Sequence, residues 1–219
     1  MAYDPDKHHR RSIRLKNYDY SWSGMYFVTI CVQNRELLFG KIVGDEMHLN
    51  EAGQMVQSVW GTLPERFSNF ESDEFVVMPN HFHGILIIKP ERLTEETKAS
   101  IEEGTSLVDV PASIDSMGTL LDTFTLEVSI TNENEPETAP SLGDAIGALK
   151  SMTTHKYIQG VRQHDWAPFD RRLWQRNYWE HIIRNEMSLN EIRGYICNNP
   201  ASWVNDRLHP DAPPNKFNQ

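Results

Sequence analysis

The sequence predicts an α+β domain: a ferredoxin-like (RNA-recognition-like) sandwich, with an antiparallel sheet and its helices packed on one face. Three observations lead there. Apolar runs of strand length alternate with segments of helical spacing in the order strand, hairpin, helix, two strands, helix, strand, helix. The two middle strands are separated only by Pro79-Asn80. A chain of 219 residues is long enough for one well-packed domain.

Gly24 to Gln33 (GMYFVTICVQ) is rich in β-branched and aromatic residues and reads as a buried strand ended by Asn34-Arg35. Lys41 to Leu49 reads as a short hairpin about Gly44-Asp45. Asn50 is a good N-cap for a helix running to about Phe70, in which Ala52, Met55, Val56, Val59, Trp60 and Leu63 recur at helical spacing. Glu74 to Met78 and His81 to Ile88 are strands with the apolar density of a sheet centre. Glu91 to Pro140 then breaks the pattern. It is acidic, with Thr and Ser throughout, and is expected to be a mobile insertion in a single domain spanning 1–219. Leu142 to Ile158 resumes helical spacing, and Leu173 to Ile183 alternates bulky residues as a further strand. A last helix is expected from Ser188, where Ser188 and Glu191 form an S-x-x-E capping box. It should end at Asn199, because Pro200 disfavours a helical conformation in the residue before it.

The formal net charge is −10, but its distribution matters more than its sum. The segment Glu91 to Pro140 holds 12 acidic residues against 2 basic ones, and the rest of the chain is neutral. Lys150 to Arg207 carries nine basic residues against six acidic ones. A phosphate-binding face fits this distribution, and so does ordinary solvated surface. No run of about 18 apolar residues exists to span a membrane. The start of the chain is polar and basic, unlike a secretory signal. Cys31 and Cys197 stand in unrelated contexts and read as reduced thiols, which places the chain in the cytoplasm.

Three groups of residues carry chemistry. On a strand His81 and His83 share one face while Phe82 points into the opposite layer, so the imidazoles form half of a metal site on an open strand face. Two half-exposed strand histidines would give the same spacing. On the last helix Leu189, Ile192 and Ile196 supply a core stripe, and Tyr195 and Asn199, four apart, can approach one ligand together. A boundary tyrosine and a helix-ending Asn fit that spacing equally well. Gly194 costs the helix about 1 kcal/mol relative to Ala, which close packing or helix mobility would explain. The third group mixes rings and guanidiniums: Trp174, Arg176, Tyr178, Trp179, His181 and Arg184, with Arg10, Arg11 and Arg14 in the N-terminal arm. Bases stack on such rings while guanidiniums hold phosphates; the alternative is Trp in the core and Arg on the surface.

Taken in order, M-P-N-H-F-H-G-I-L, W-Q-x-x-Y-W-E-H-I-I-R-N and Y-I-x-N-N-P resemble the single-tyrosine HUH transposases, and among them the REP-associated tyrosine transposases of the IS200-like family. The resemblance covers roughly Tyr18 to Trp203 apart from the acidic insertion, and Tyr26 to Ile30 looks like the family's first strand. It implies a ferredoxin-like sheet, Mg²⁺ or Mn²⁺ as cofactor, and single-stranded DNA with a foldback hairpin as partner. It further implies metal ligation by His81 and His83, attack by Tyr195, and a third ligand at Asn199, where the family often has the longer Gln. Cleavage would leave a 5′-phosphotyrosine and a free 3′-hydroxyl, which a second DNA end can reverse without ATP. The sequence has no nucleotide-binding loop. Whether the chain acts as a monomer or a homodimer is open at this level. A metal-dependent nuclease without a covalent intermediate, and a domesticated hairpin-binding protein, are the competing readings.

Overall fold

The computed structural model describes residues 15, 18–90 and 139–213. Arg10, Arg11, Arg14 and the acidic segment, save Ala139 and Pro140, lie outside the described residues.

Strand β1 (Gly24–Cys31) leads into a hairpin of β2 (Gly40–Val43) and β3 (Glu46–Leu49). Gly44 and Asp45 both take positive φ (58° and 66°), the backbone of the tight turn expected from Gly-Asp. Asn50 caps helix α1 (Glu51–Gly61), its side chain accepting from the Gly53 N–H at 2.9 Å. The helix does not reach Phe70. Pro64 cannot donate to the Trp60 carbonyl and its ring would crowd it, so α1 stops at Thr62 and a single turn, α2 (Leu63–Arg66), follows. This frees residues for β4 (Phe70–Met78), four residues earlier than expected, with a register break between Ser72 and Phe75. Strand β5 (His81–Ile88) comes next. Helix α3 (Leu142–Gln163) opens on a Ser141/Asp144 capping box and runs five residues beyond Ile158.

The last strand is only β6 (Trp179–Ile183); Trp174 makes a lone bridge to Val32. Helix α4 (Glu186–Asn198) starts a turn earlier than Ser188 because Asn185 is the cap, accepting from the Ser188 N–H at 2.8 Å. Asn199 keeps helical angles (φ −60°, ψ −41°) although Pro200 follows, so the chain stays wound past the helix end. The Ser202 N–H, donating to the carbonyls of both Asn198 and Asn199 at 3.1 Å, holds that turn.

The four long strands form one antiparallel sheet in the order β4-β5-β1-β6. With α1 and α3 on one face, this is the ferredoxin-like arrangement. That face carries the main core: Tyr26, Val28, Ile30, Phe82 and Leu86 meet Trp60, Leu149 and Tyr157. Gly84 lies between Phe82 and Leu86 because a Cβ there would stand 2.8 Å from the Phe82 ring and 2.9 Å from Trp60. The expectation that all helices share one face is corrected by α4. It packs on the opposite face, where Leu189, Ile192 and Ile196 cover Phe27, Ile85 and Ile183. Two amphipathic faces of one sheet need two layers, and the i, i+3, i+7 stripe of α4 supplies the second.

Candidate metal centre and tyrosine site

Side chains on β5 alternate, so Phe82 enters the main core while His81 and His83 point under α4. The register places Thr29 opposite His83 and Cys31 opposite His81. Both imidazoles are buried, which corrects the expectation of an open strand face. The end of α4 and the turn after it cover them.

His81 is held from behind. Its Nδ1 is 2.8 Å from Asn80 Oδ1, and its ring packs against Trp203 at 5.9 Å. Nε2 points forward, 3.9 Å from Asp206 Oδ2, and has no hydrogen-bond partner among the described residues. Asn199, with its side chain buried, donates from Nδ2 to Asp206 Oδ2 at 3.3 Å, and its Oδ1 is also without a partner among the described residues. His83 shares a 2.8 Å hydrogen bond with Thr29 Oγ1 through Nδ1. Its Nε2 lies 3.2 Å from Tyr195 Oη, and the two rings meet edge-on at 5.3 Å. Tyr195 also stands edge-on to Phe27 and is half-exposed, at 48 %.

Asp206 completes the group. One ligand atom each of His81, His83 and Asp206 lie within 4.8 Å of one another. Burial pushes His81 down to about 3, with Asn199 beside it offsetting upward and the Arg35 charge adding to the drop. Burial also holds His83 well below its ordinary range; the neighbouring His81 adds to this and Asp206 opposes it. At neutral pH both rings are uncharged and offer lone pairs. His81 Nε2 and Asn199 Oδ1, buried without a partner among the described residues beside the Asp206 carboxylate, fit a cation, and two imidazoles with carboxylate and amide oxygens suit a divalent one. Tyr195 is pushed up from 10, first by burial and then by Asp206, while Asn199 and Arg207 pull it down.

A cleft of about 550 Å³ opens onto this group, lined by Trp179, Tyr195, Asn199, Asp206 and Arg207 among others. Helix α4 is anchored over it by a two-pronged pair: Arg193 donates to both carboxylate oxygens of Asp73, at 2.9 and 2.6 Å. Asp73 sits at the register break of β4, which turns it toward the helix.

The structure thus brings together His81, His83, Asn199 and Tyr195, all within one chain. Of the aromatic and basic group described above, it brings Trp179 to the cleft and leaves the other described members apart. Trp174 is buried, its indole N–H donating to Thr153 Oγ1 at 2.8 Å, and Tyr178 is buried with Lys150 over its ring at 5.5 Å. Neither ring has a face for a base, which corrects their assignment to DNA. Arg176 is exposed in the loop whose carbonyls Lys150 gathers. His181 and Arg184 line a separate cleft of about 400 Å³ beside the start of α4. Sequence reasoning missed Asp206, Thr29, Asn80 and Arg207. Asn80 and Thr29 stood in motifs without being singled out; Thr29 is joined to His83 by register, and Asp206 and Arg207 come in with the turn after α4.

Along nearly its whole length the chain is similar to an uncharacterized protein of Haemophilus influenzae: 36% identity over 209 residues, covering 95% of this chain and 98% of that one. This chain belongs to that protein's family. No family model matches the sequence. Among solved structures the chain is similar to a REP-associated tyrosine transposase bound to a REP hairpin, with 18% identity, a TM-score of 0.48, and coverage of 88% of this chain and 74% of that one. It is also similar to a protein of Deinococcus radiodurans R1 assigned as a transposase, with 12% identity, a TM-score of 0.38, and coverage of 85% and 97%. Among the described residues no helix is long and apolar enough to cross a membrane.

Proposed function

We propose that this protein cuts and rejoins single-stranded DNA through a covalent phosphotyrosine on Tyr195, at a divalent-metal site built from His81, His83 and Asp206 with Asn199 beside them. One observation carries the reading: a tyrosine hydroxyl 3.2 Å from an imidazole of a converging group of metal-type ligands, at the mouth of a cleft. The motif resemblance of the sequence to single-tyrosine HUH transposases supports it independently, as does the family's preference for a ligand four residues after the nucleophile.

His81, His83 and Asp206 would hold Mg²⁺ or Mn²⁺, with Asn199 Oδ1 as a further oxygen. Bound there, the ion supplies Lewis-acid polarisation of a scissile phosphate and offsets its developing charge. The chain does the rest. A tyrosine with an ordinary pKa near 10 is only about 0.1% phenolate at neutral pH, and burial lowers that further here. Arg207, in the cleft and pulling the Tyr195 pKa down, is the guanidinium placed to hold a phosphate oxygen. Trp179, also lining the cleft, offers the ring on which a base can stack. Tyr195 Oη bonds to phosphorus as the bond to the 3′-oxygen breaks; the phenolic proton leaves to solvent and the 3′-oxygen gains one. A free 3′-hydroxyl from another end reverses the step.

The experiment is incubation of the full chain and Mn²⁺ with labelled single-stranded DNA from the flanks of its own gene, hairpins included. A protein–DNA adduct that survives denaturation is expected. Cleavage without an adduct would replace the tyrosine mechanism by attack of water.

A further inference from the structure

Asn80 occupies the two-residue turn between β4 and β5, directly before His81, and it is buried. Its amide is fully committed. Nδ2 donates to the backbone carbonyl of Leu208 at 2.8 Å and to that of Arg35 at 3.2 Å. Two carbonyl acceptors fix which end of the amide is nitrogen, so Oδ1 must be the atom facing His81 Nδ1 at 2.8 Å. An amide oxygen only accepts. His81 therefore carries its proton on Nδ1, and Nε2 keeps a lone pair aimed toward Asp206 Oδ2.

The same side chain acts on the other half of the site. Leu208 lies two residues beyond Asp206, whose Oδ1 accepts from the Leu208 N–H at 2.6 Å. Asn80 thus ties the turn that carries the carboxylate to the strand that carries the histidines. Its backbone carbonyl, accepting from Val32 N–H at 2.8 Å, fastens the turn to the end of β1.

We infer that Asn80 is the positioning residue of this centre: it fixes His81 in the Nδ1–H tautomer and holds Asp206 across from it, so that both ligand atoms face one ion. The inference rests on the metal reading of the site, but its first readout does not need metal. In the metal-free, ¹⁵N-histidine-labelled full chain, long-range ¹H–¹⁵N spectra, assigned with His81→Gln, should show His81 protonated at Nδ1 and bare at Nε2. Asn80→Leu removes acceptor and donors at similar size. It should spread His81 over both tautomers and weaken Mn²⁺ binding, followed by the electron-spin signal of free Mn²⁺, by about 10- to 100-fold. Asn80→Asp restores the acceptor alone and should restore the Nδ1–H tautomer. Wild-type His81 protonated on Nε2 overturns the inference without any variant having to fold. So does an Asn80→Leu protein with unchanged tautomer and unchanged Mn²⁺ affinity. A wild type that shows the Nδ1–H tautomer but binds no Mn²⁺ would defeat the metal reading and leave the orienting role of Asn80 supported.

Discussion

The two faces of the sheet use the same strands for opposite ends. Toward α1 and α3 the side chains of β1 and β5 are Tyr26, Val28, Ile30, Phe82, Leu86 and Ile88, buried in one continuous aromatic and aliphatic core. Toward α4 the same strands present Met25, Phe27, Ile85 and Ile87 at one end and Thr29, His81 and His83 at the other. Only the first end is apolar enough to seat a helix. The other end is covered but not filled by hydrophobic packing, and there His81 Nε2 and Asn199 Oδ1 stand without a partner among the described residues. The difference teaches a division of labour along a period of two: Phe82 stabilises the fold, and its immediate neighbours, pointing the other way, carry the chemistry.

Exchanging effects across that divide gives the largest contrast. His81→Ala or His83→Ala should abolish metal-dependent cleavage. Phe82→Ala, one residue away, should cost about 3–5 kcal/mol of stability, because it empties a site packed against Trp60 at 4.7 Å between ring centroids. Denaturant unfolding beside a cleavage assay separates the two. A histidine variant that cleaves at the wild-type rate, or one destabilised as much as Phe82→Ala, breaks the comparison.

Acid should act through the chemical face. Folding lowers the His81 pKa from 6.5 to about 3, so between those values the unfolded chain binds a proton that the folded chain refuses. The contribution is fully present above about pH 6.5 and is lost as pH falls toward 3, at up to about 1.4 kcal/mol per pH unit for one histidine. Urea unfolding from pH 7 to pH 4 should show this slope, flattened by about one proton's worth in His81→Gln. Identical slopes would mean that His81 is not buried neutral.

The smallest effect concerns helix α4, which covers the chemical face. A Cβ at Gly194 would meet nothing within 4 Å, so close packing does not explain the glycine. Helix mobility is the other expectation: were His83 Nε2 to take a metal, the Tyr195 hydroxyl 3.2 Å away would have to move off it. Gly194→Ala should stabilise α4 by about 1 kcal/mol and slow cleavage several-fold. Greater stability with an unchanged rate would show that the helix need not yield.

Much of this was legible in the sequence where the signal is local. The H-F-H alternation, the Asn50 cap and the i, i+4 pair Tyr195 and Asn199 are fixed by strand and helix periods, and the structure keeps them. What was not legible depends on choices between neighbours or across the chain. Ser188 and Asn185 both satisfy capping rules, and it is the Asn185 side chain that accepts from the Ser188 N–H. Trp174 and Tyr178 look the same as base-stacking rings until Thr153 and Lys150, more than twenty residues away, are placed against them. Asp206 reaches His81 over 125 residues, through a turn with no period to read. Asn199 was singled out by its spacing from Tyr195, and its helical backbone before Pro200 went against the local rule.

The central claim is that the phosphoryl bond forms on Tyr195. With Mn²⁺ and the labelled hairpin DNA, the wild type and Tyr178→Phe should give the same denaturation-resistant adduct, and Tyr195→Phe none. Tyr195→Phe should still bind the DNA within a few-fold, since it loses one oxygen and affinity rests on phosphate contacts and stacking elsewhere. Peptide mapping of the wild-type adduct should place the nucleotide on the tyrosine of α4. An adduct that persists in Tyr195→Phe contradicts the account, whichever residue then carries it.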